Sequence, residues 1–131
     1  MAQQKCPVLP TVPEPARNVD VLLVEDDPVI RGELAEILAF EGFSVETAGD
    51  GREAFEKIQR LSIKVMVLDL MLPVMNGWEL AAAVREIPDL AKMPILTITA
   101  VGNAHRAPGG PVFLKPLNVE SLVHAVSIYA S

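Results

Sequence analysis

The stretch KVMVLDLMLPVMNGWEL, residues 64–80, runs an unbroken apolar segment into an acid, Asp69, and then opens a helical pattern at Asn76. Val65 to Leu68 show no polar alternation, as expected of a strand covered on both faces in a parallel sheet between helices. Asn76 with Glu79 three residues on has the spacing of a capping box, so the helix after the strand brings its own cap. Asp69 therefore stands where the chain leaves the sheet, with no capping task.

Outward from this unit the same alternation repeats. VDVLLV (19–24) reads as a strand, followed by a helix to Phe40 with Ile30, Leu34, Ile37 and Leu38 on one face. FSVETA (43–48) reads as a second strand, and Asp50 with Glu53 opens a second helix carrying Phe55 and Ile58. MPILTIT (93–99) and PVFLK (111–115) are the fourth and fifth strands, and a last helix from Asn118 is expected to bury Leu122, Ala125, Val126 and Tyr129. Five βα units of this kind predict an α/β, flavodoxin-like, doubly wound fold with a five-stranded parallel sheet. The first 18 residues hold four of the eleven prolines and no periodic pattern, the composition of a disordered tail or linker, which leaves 19–131 as one domain.

Formal charge is −6, with 17 acidic and 11 basic residues interspersed, so no basic footprint for direct nucleic-acid binding is present. A single cysteine, Cys6, excludes an internal disulfide and suits a reducing cytoplasm. No apolar run approaches the roughly 20 residues that span a bilayer, and the N-terminus lacks the pattern of a secretory signal. A cytoplasmic protein without a membrane partner is the expectation.

In doubly wound sheets ligands bind outside the carboxyl ends of the strands. Those ends carry Glu25 and Asp26, Asp69, Thr99, and Lys115 with Pro116. An acid at a strand end is most often a turn former or helix cap. Here Pro28 suits the first helical position and makes Asp27 the cap, which leaves Glu25 and Asp26 without that task. Three carboxylates converging in a crevice would repel one another, and the economical remedy is a hard divalent cation with oxygen ligands, Mg²⁺ above all. Lys115 adds a point charge for phosphate oxygens and Thr99 a hydroxyl donor. Such a set can make an aspartyl phosphate, with Asp69 the nucleophile.

LLVEDDP, VLDLMLPVMNGWEL, ILTITA and FLKPL resemble, in order and spacing, the receiver domain of two-component response regulators. The resemblance spans residues 19 to about 130. Asp26 and Asp69 lie 43 residues apart, and Asp69 and Thr99 lie 30 apart. It implies a bacterial phosphorelay protein in which Asp69 accepts a phosphoryl group from a histidine kinase or phosphotransfer protein. Glu25, Asp26, Asp69 and the Met71 backbone carbonyl would bind Mg²⁺. Thr99 would be the switch hydroxyl and Lys115 the phosphate contact, joined to Pro116 by a cis peptide. Such a protein is a signalling phosphoacceptor and not an enzyme in its own right. With apolar Met71 and Val101 beside the phosphoryl group, its dephosphorylation is expected to be slow.

Two features depart from the family. Only 16 residues separate Thr99 from Lys115, and Pro108, Gly109 and Gly110 fall between them, so the fourth helix is expected to be short or distorted. Val112 stands where the family's switch aromatic is expected, while Phe113 should face the other side of the strand. Trp78 reads as a half-buried anchor, and His105 and His124 as surface residues. A phosphatase would need an acid where Met71 stands. The alternative that stays open is a pseudo-receiver acting only as a protein-interaction module. The kinase and the downstream target are unknown, as is whether the unit stands alone or belongs to a larger protein.

Overall fold

The computed structural model of the chain describes residues 17–100 and 110–130. In chain order the elements are β1 (Arg17–Val24), α1 (Pro28–Phe40), β2 (Val45–Ala48), α2 (Gly51–Ile58), β3 (Leu61–Asp69), α3 (Gly77–Arg85), a 3₁₀ turn (Pro88–Leu90), β4 (Ile95–Thr99), β5 (Val112–Leu114) and α4 (Val119–Tyr129). The expected short or distorted fourth helix, with Val101 and His105, falls outside the described residues. The last helix is therefore α4 in this numbering.

All described strand pairs are parallel, in the order β2-β1-β3-β4-β5. The winding reverses between β1 and β3, where the flavodoxin-like order places its ligand crevice. Residue parity sorts the core into two layers. Val21, Leu23, Val65, Val67, Leu96 and Ile98 meet Leu34 and Leu38 of α1 and Leu122 and Val126 of α4. Leu22, Val24, Met66, Leu68 and Ile95 meet Ala54 and Ile58 of α2 and Leu80, Ala81 and Val84 of α3. Each fully buried large side chain contributes about 1.5–3 kcal/mol, which holds the strand ends in fixed register.

Several expected details change. β1 begins at Arg17 rather than Val19, because β3 begins at Leu61 rather than Lys64 and offers partners for Arg17 and Asn18. Residues 1–16 of the expected tail lie outside the described part. Ile30 and Ile37 flank the α1 stripe and remain exposed, while Leu34 and Leu38, one turn apart, face the sheet. Tyr129 is exposed and Ala130 is buried instead, since Leu122, Val126 and Ala130, four residues apart, form the face of α4 turned to the sheet. Phe113 packs on the α1/α4 layer, as the parity of β5 required, and Val112 points away from it, exposed.

The joint between β1, β2 and β3 depends on Asp20. Ser44 donates its N–H to Asp20 Oδ2 at 2.9 Å and accepts the Asp20 N–H on Oγ at 2.8 Å. Lys64 Nζ lies 3.2 Å from Oδ1. The Ser44 N–H, with help from Lys64, outweighs partial burial and holds the Asp20 carboxyl below its ordinary value. Asp20→Ala is expected to cost about 1–2 kcal/mol near neutral pH, most of it from the Ser44 N–H rather than the exposed ion pair. A depressed folded pKa stabilises above the unfolded pKa and ceases to do so as pH falls through the folded one. Urea melts of both proteins should therefore differ at pH 7 and converge below the ordinary carboxylate range. An equal difference at every pH would remove Asp20 ionisation from the cause.

Candidate functional site

Asp27 caps α1 with Oδ1 accepting from the N–H groups of Val29 and Ile30, and Pro28 takes the first turn. This ends the helix at Asp27 and turns Glu25 and Asp26 into the crevice. Glu25 is not idle, as the capping logic had it. Its Oε2 accepts the Asp27 N–H at 3.1 Å, while its own N–H extends the β1–β2 ladder to the Ala48 carbonyl. Arg31, one turn into α1, reaches back and donates to the carbonyl oxygens of Glu25 at 2.9 Å and Asp26 at 3.3 Å.

Asn76 forms a full capping box with Glu79, so Asp69 is free of the helix it precedes. Asp69 Oδ1 accepts the Met71 N–H at 2.9 Å, and Oδ2 faces Lys115 Nζ at 3.0 Å. The Lys115 N–H donates to the Thr99 carbonyl at 3.0 Å, which ties its backbone to the end of β4, and the peptide from Lys115 to Pro116 is cis. Asp50 also caps its helix, but Glu53 turns to the Gly49 N–H instead of completing the expected box at Asp50.

Four of the six residues singled out in the sequence, Glu25, Asp26, Asp69 and Lys115, thus meet through their side chains at one sheet edge, with the Met71 N–H on Asp69 and the Thr99 carbonyl on the Lys115 N–H. Oxygen atoms of Glu25, Asp26 and Asp69 all lie within 4.8 Å of one another. Two unit charges at that distance repel by about 3 kcal/mol at the effective dielectric of a protein surface. Glu25 and Asp69 are buried, at 3% and 2% exposure, and Asp26 is exposed. Burial raises the Glu25 carboxyl to about 7; the Asp27 N–H opposes this and the Asp69 charge adds to it. Burial works against the Lys115 charge, but the hydrogen bond and charge of Asp69 prevail and hold its pKa above the ordinary value.

One lysine cannot balance three acids. The donor set, three carboxylates whose oxygens lie within 4.8 Å of one another, fits a hard divalent cation that keeps waters on its free side. Thr99 Oγ1 is fully buried with no hydrogen-bond partner among the described residues, and so is Thr97 Oγ1 two residues earlier. An orphaned hydroxyl costs about 1–3 kcal/mol, which an incoming acceptor would recover. Thr97 gave no signal in the sequence, since threonine is ordinary strand material. Arg31 gave none either, because its partners are backbone atoms. Trp78 is half-buried on the α2/α3 layer and His124 is exposed on α4.

The loop after Asp69 holds Val74 at φ 67°, 75% exposed. A β-branched residue in the left-handed region carries about 1–2 kcal/mol of strain. Relief of that strain exceeds the added unfolded-state entropy of glycine, so Val74→Gly should stabilise by about 0.5–1 kcal/mol in denaturant melts. A destabilised variant would show that the valine side chain makes contacts worth more than the strain.

A family model described as the response regulator receiver domain matches residues 21–127. An uncharacterized 14.6 kDa protein of Leptolyngbya boryana is 32% identical over 86% of this chain and 90% of its own length. A probable transcriptional regulator, ycf29, of Porphyra purpurea is 35% identical over 65% of this chain, and response regulator RR06 of Streptococcus pneumoniae is 38% identical over the same share. The matches to these last two span 41% and 38% of their lengths. The chemotaxis response regulator CheY4 of Vibrio cholerae superposes with a TM-score of 0.75 at 31% identity, covering 88% of this chain and 99% of that one. No helix among the described residues is long and apolar enough to cross a membrane.

Proposed function

The chain belongs to the response regulator receiver family, a class of phosphorylation-regulated signalling domains, and from that premise we propose that Asp69 is its phosphoacceptor. The observation that carries this is the buried Asp69 carboxylate held between the Met71 N–H and Lys115, within 4.8 Å of two further acids. The donor is a histidine kinase or phosphotransfer protein. Receiver domains of this family act as phosphoacceptors rather than as enzymes with a separate substrate, and the chemistry assigned to this one is its own phosphorylation and slow dephosphorylation.

Glu25, Asp26, Asp69 and the Met71 carbonyl would hold Mg²⁺, which when bound neutralises charge on the phosphoryl oxygens. Asp69 attacks phosphorus in line. The carboxylate oxygen–phosphorus bond forms as the phosphorus–nitrogen bond of the donor histidine breaks, and the ring nitrogen leaves with the bonding pair. The Met71 N–H fixes the carboxylate plane, so one oxygen is presented to the donor without a rotamer search. Lys115 then exchanges its carboxylate contact for a phosphoryl oxygen, and the Thr99 hydroxyl gains the acceptor it lacks. That gain favours the phosphorylated arrangement of β4 and gives the switch its driving force.

Intact mass after incubation with acetyl phosphate, with Mg²⁺ and with EDTA, tests the assignment. A phosphate adduct that requires Mg²⁺ is expected. Folded protein that binds Mg²⁺ yet never gains the adduct would refute phosphoacceptance and favour the binding-only pseudo-receiver. Cytoplasmic location, close to the kinase's phosphohistidine, is part of the same proposal.

A further inference from the structure

We infer that Arg31 is a positioning residue for the cation site, acting through the backbone of the two acids and not through contact with the cation. This rests on the reading of Glu25, Asp26 and Asp69 as a Mg²⁺ site. The Arg31 guanidinium donates through Nη1 to the carbonyl oxygens of both Glu25 and Asp26, at 2.9 and 3.3 Å. Its own N–H is bonded into α1 through the Asp27 carbonyl at 2.9 Å. The arginine therefore ties the acid pair to the first turn of a helix that Asp27 caps, and the turn 25–27 cannot rotate without breaking these bonds.

The surroundings hold the guanidinium in that place. It lies against Gly49 in the loop after β2, where an added Cβ would sit 3.1 Å from Nη1 and 3.7 Å from Cζ. Gly49 in turn donates its N–H to Glu53 Oε1 at 2.8 Å, which fixes the loop to α2. A half-buried arginine is thus packed between two loops with its hydrogen bonds directed at the backbone that carries the acids. The two N–H bonds of Nη1 are fixed in the plane of the guanidinium and suit this task, whereas an ammonium on a flexible stem holds the same carbonyls less rigidly. Groups that orient metal ligands from behind typically alter metal affinity by 10–100-fold when replaced.

Two effects of Arg31 oppose each other. Its charge repels a cation, while its hydrogen bonds hold the ligands in place. Arg31→Lys keeps the charge and removes the planar, fixed pair of Nη1 donors, so it isolates positioning. Mg²⁺ titrations followed by backbone amide NMR shifts should give a dissociation constant about tenfold higher for Arg31→Lys than for the wild type. Thermal melts of the two in EDTA should coincide. Arg31→Ala should lose affinity more visibly at high salt than at low, because screening removes the benefit of the deleted charge.

An unchanged dissociation constant in Arg31→Lys would overturn the inference. So would a weaker constant accompanied by a matching drop in the EDTA melt, which is the signature of general loosening. Failure of the wild type itself to bind Mg²⁺ is a different result, since it would overturn the site reading and the inference along with it.

Discussion

Asp69→Asn is expected to give a protein that folds, melts no lower than the wild type in EDTA, and gains no phosphate from acetyl phosphate at any Mg²⁺ concentration. The fold survives because the amide oxygen can still accept the Met71 N–H, the bond that orients this side chain. Replacing an anion within 4.8 Å of two others removes repulsion of about 3 kcal/mol per close pair, and Lys115, 43% exposed, can turn to water. Part of the upward pressure on the Glu25 carboxyl comes from the Asp69 charge, so that group should also titrate lower in the variant. Chemistry is lost because an amide oxygen is a poor nucleophile toward phosphorus and the site has lost a ligand for a hard cation. Mass spectrometry reads the adduct and calorimetry the melt. An adduct that persists in the variant would move the acceptor to another carboxylate, with Asp26 the nearest exposed one.

The parts of this site that could be read in the sequence are those whose cause is local. Asp27, Pro28 and Asn76 announce helix starts, and once those starts are fixed the acids between strand and helix are released from capping, although Glu25 still accepts the Asp27 N–H. Strands rich in Val, Ile and Leu announce a parallel sheet, and the sheet's winding brings their ends together. Parity alone turned Phe113 to the opposite face of its strand from Val112, which is the face that packs on the α1/α4 layer. What could not be read depends on tertiary partners. Arg17 joins β1 only because β3 is long enough to meet it. Glu53 abandons the expected box because the Gly49 N–H lies closer to hand. Ile30 and Ile37 have helical spacing, but the α1 surface in contact with the sheet is one stripe wide. Arg31 makes its bonds to backbone oxygens, which carry no side-chain signature for the eye to find.

Gly77→Ala should cost about 1–2 kcal/mol, the excess of overpacking over helix propensity, and slow the phosphorylation of Asp69 about tenfold or more. Alanine normally gains up to about 1 kcal/mol over glycine in a helix, so the sign depends on space. At Gly77 an added Cβ would stand 2.6 Å from Leu70 Cα, 2.9 Å from its Cδ2 and 3.0 Å from the Asp69 carbonyl oxygen. Two of those three atoms are backbone, and the Gly77 N–H already bonds the Leu70 carbonyl at 3.0 Å, so neither chain can step aside cheaply. Overpacking of this kind costs about 1–3 kcal/mol and outweighs the helix propensity gained. The displacement falls on Leu70 and on the peptide of Asp69, which moves the carboxylate relative to Lys115 and Glu25. A shift of about 1 Å in a reacting group can cost a hundredfold in rate, and a partial shift correspondingly less. Gly32→Ala is the internal control: nothing lies within 4 Å of its added Cβ, and it should stabilise α1 by about 0.5–1 kcal/mol with phosphorylation unchanged. Denaturant melts and the initial rate of adduct formation decide the matter. If Gly77→Ala matched Gly32→Ala in both, the close approach of α3 to the end of β3 would not be what holds Asp69 in place.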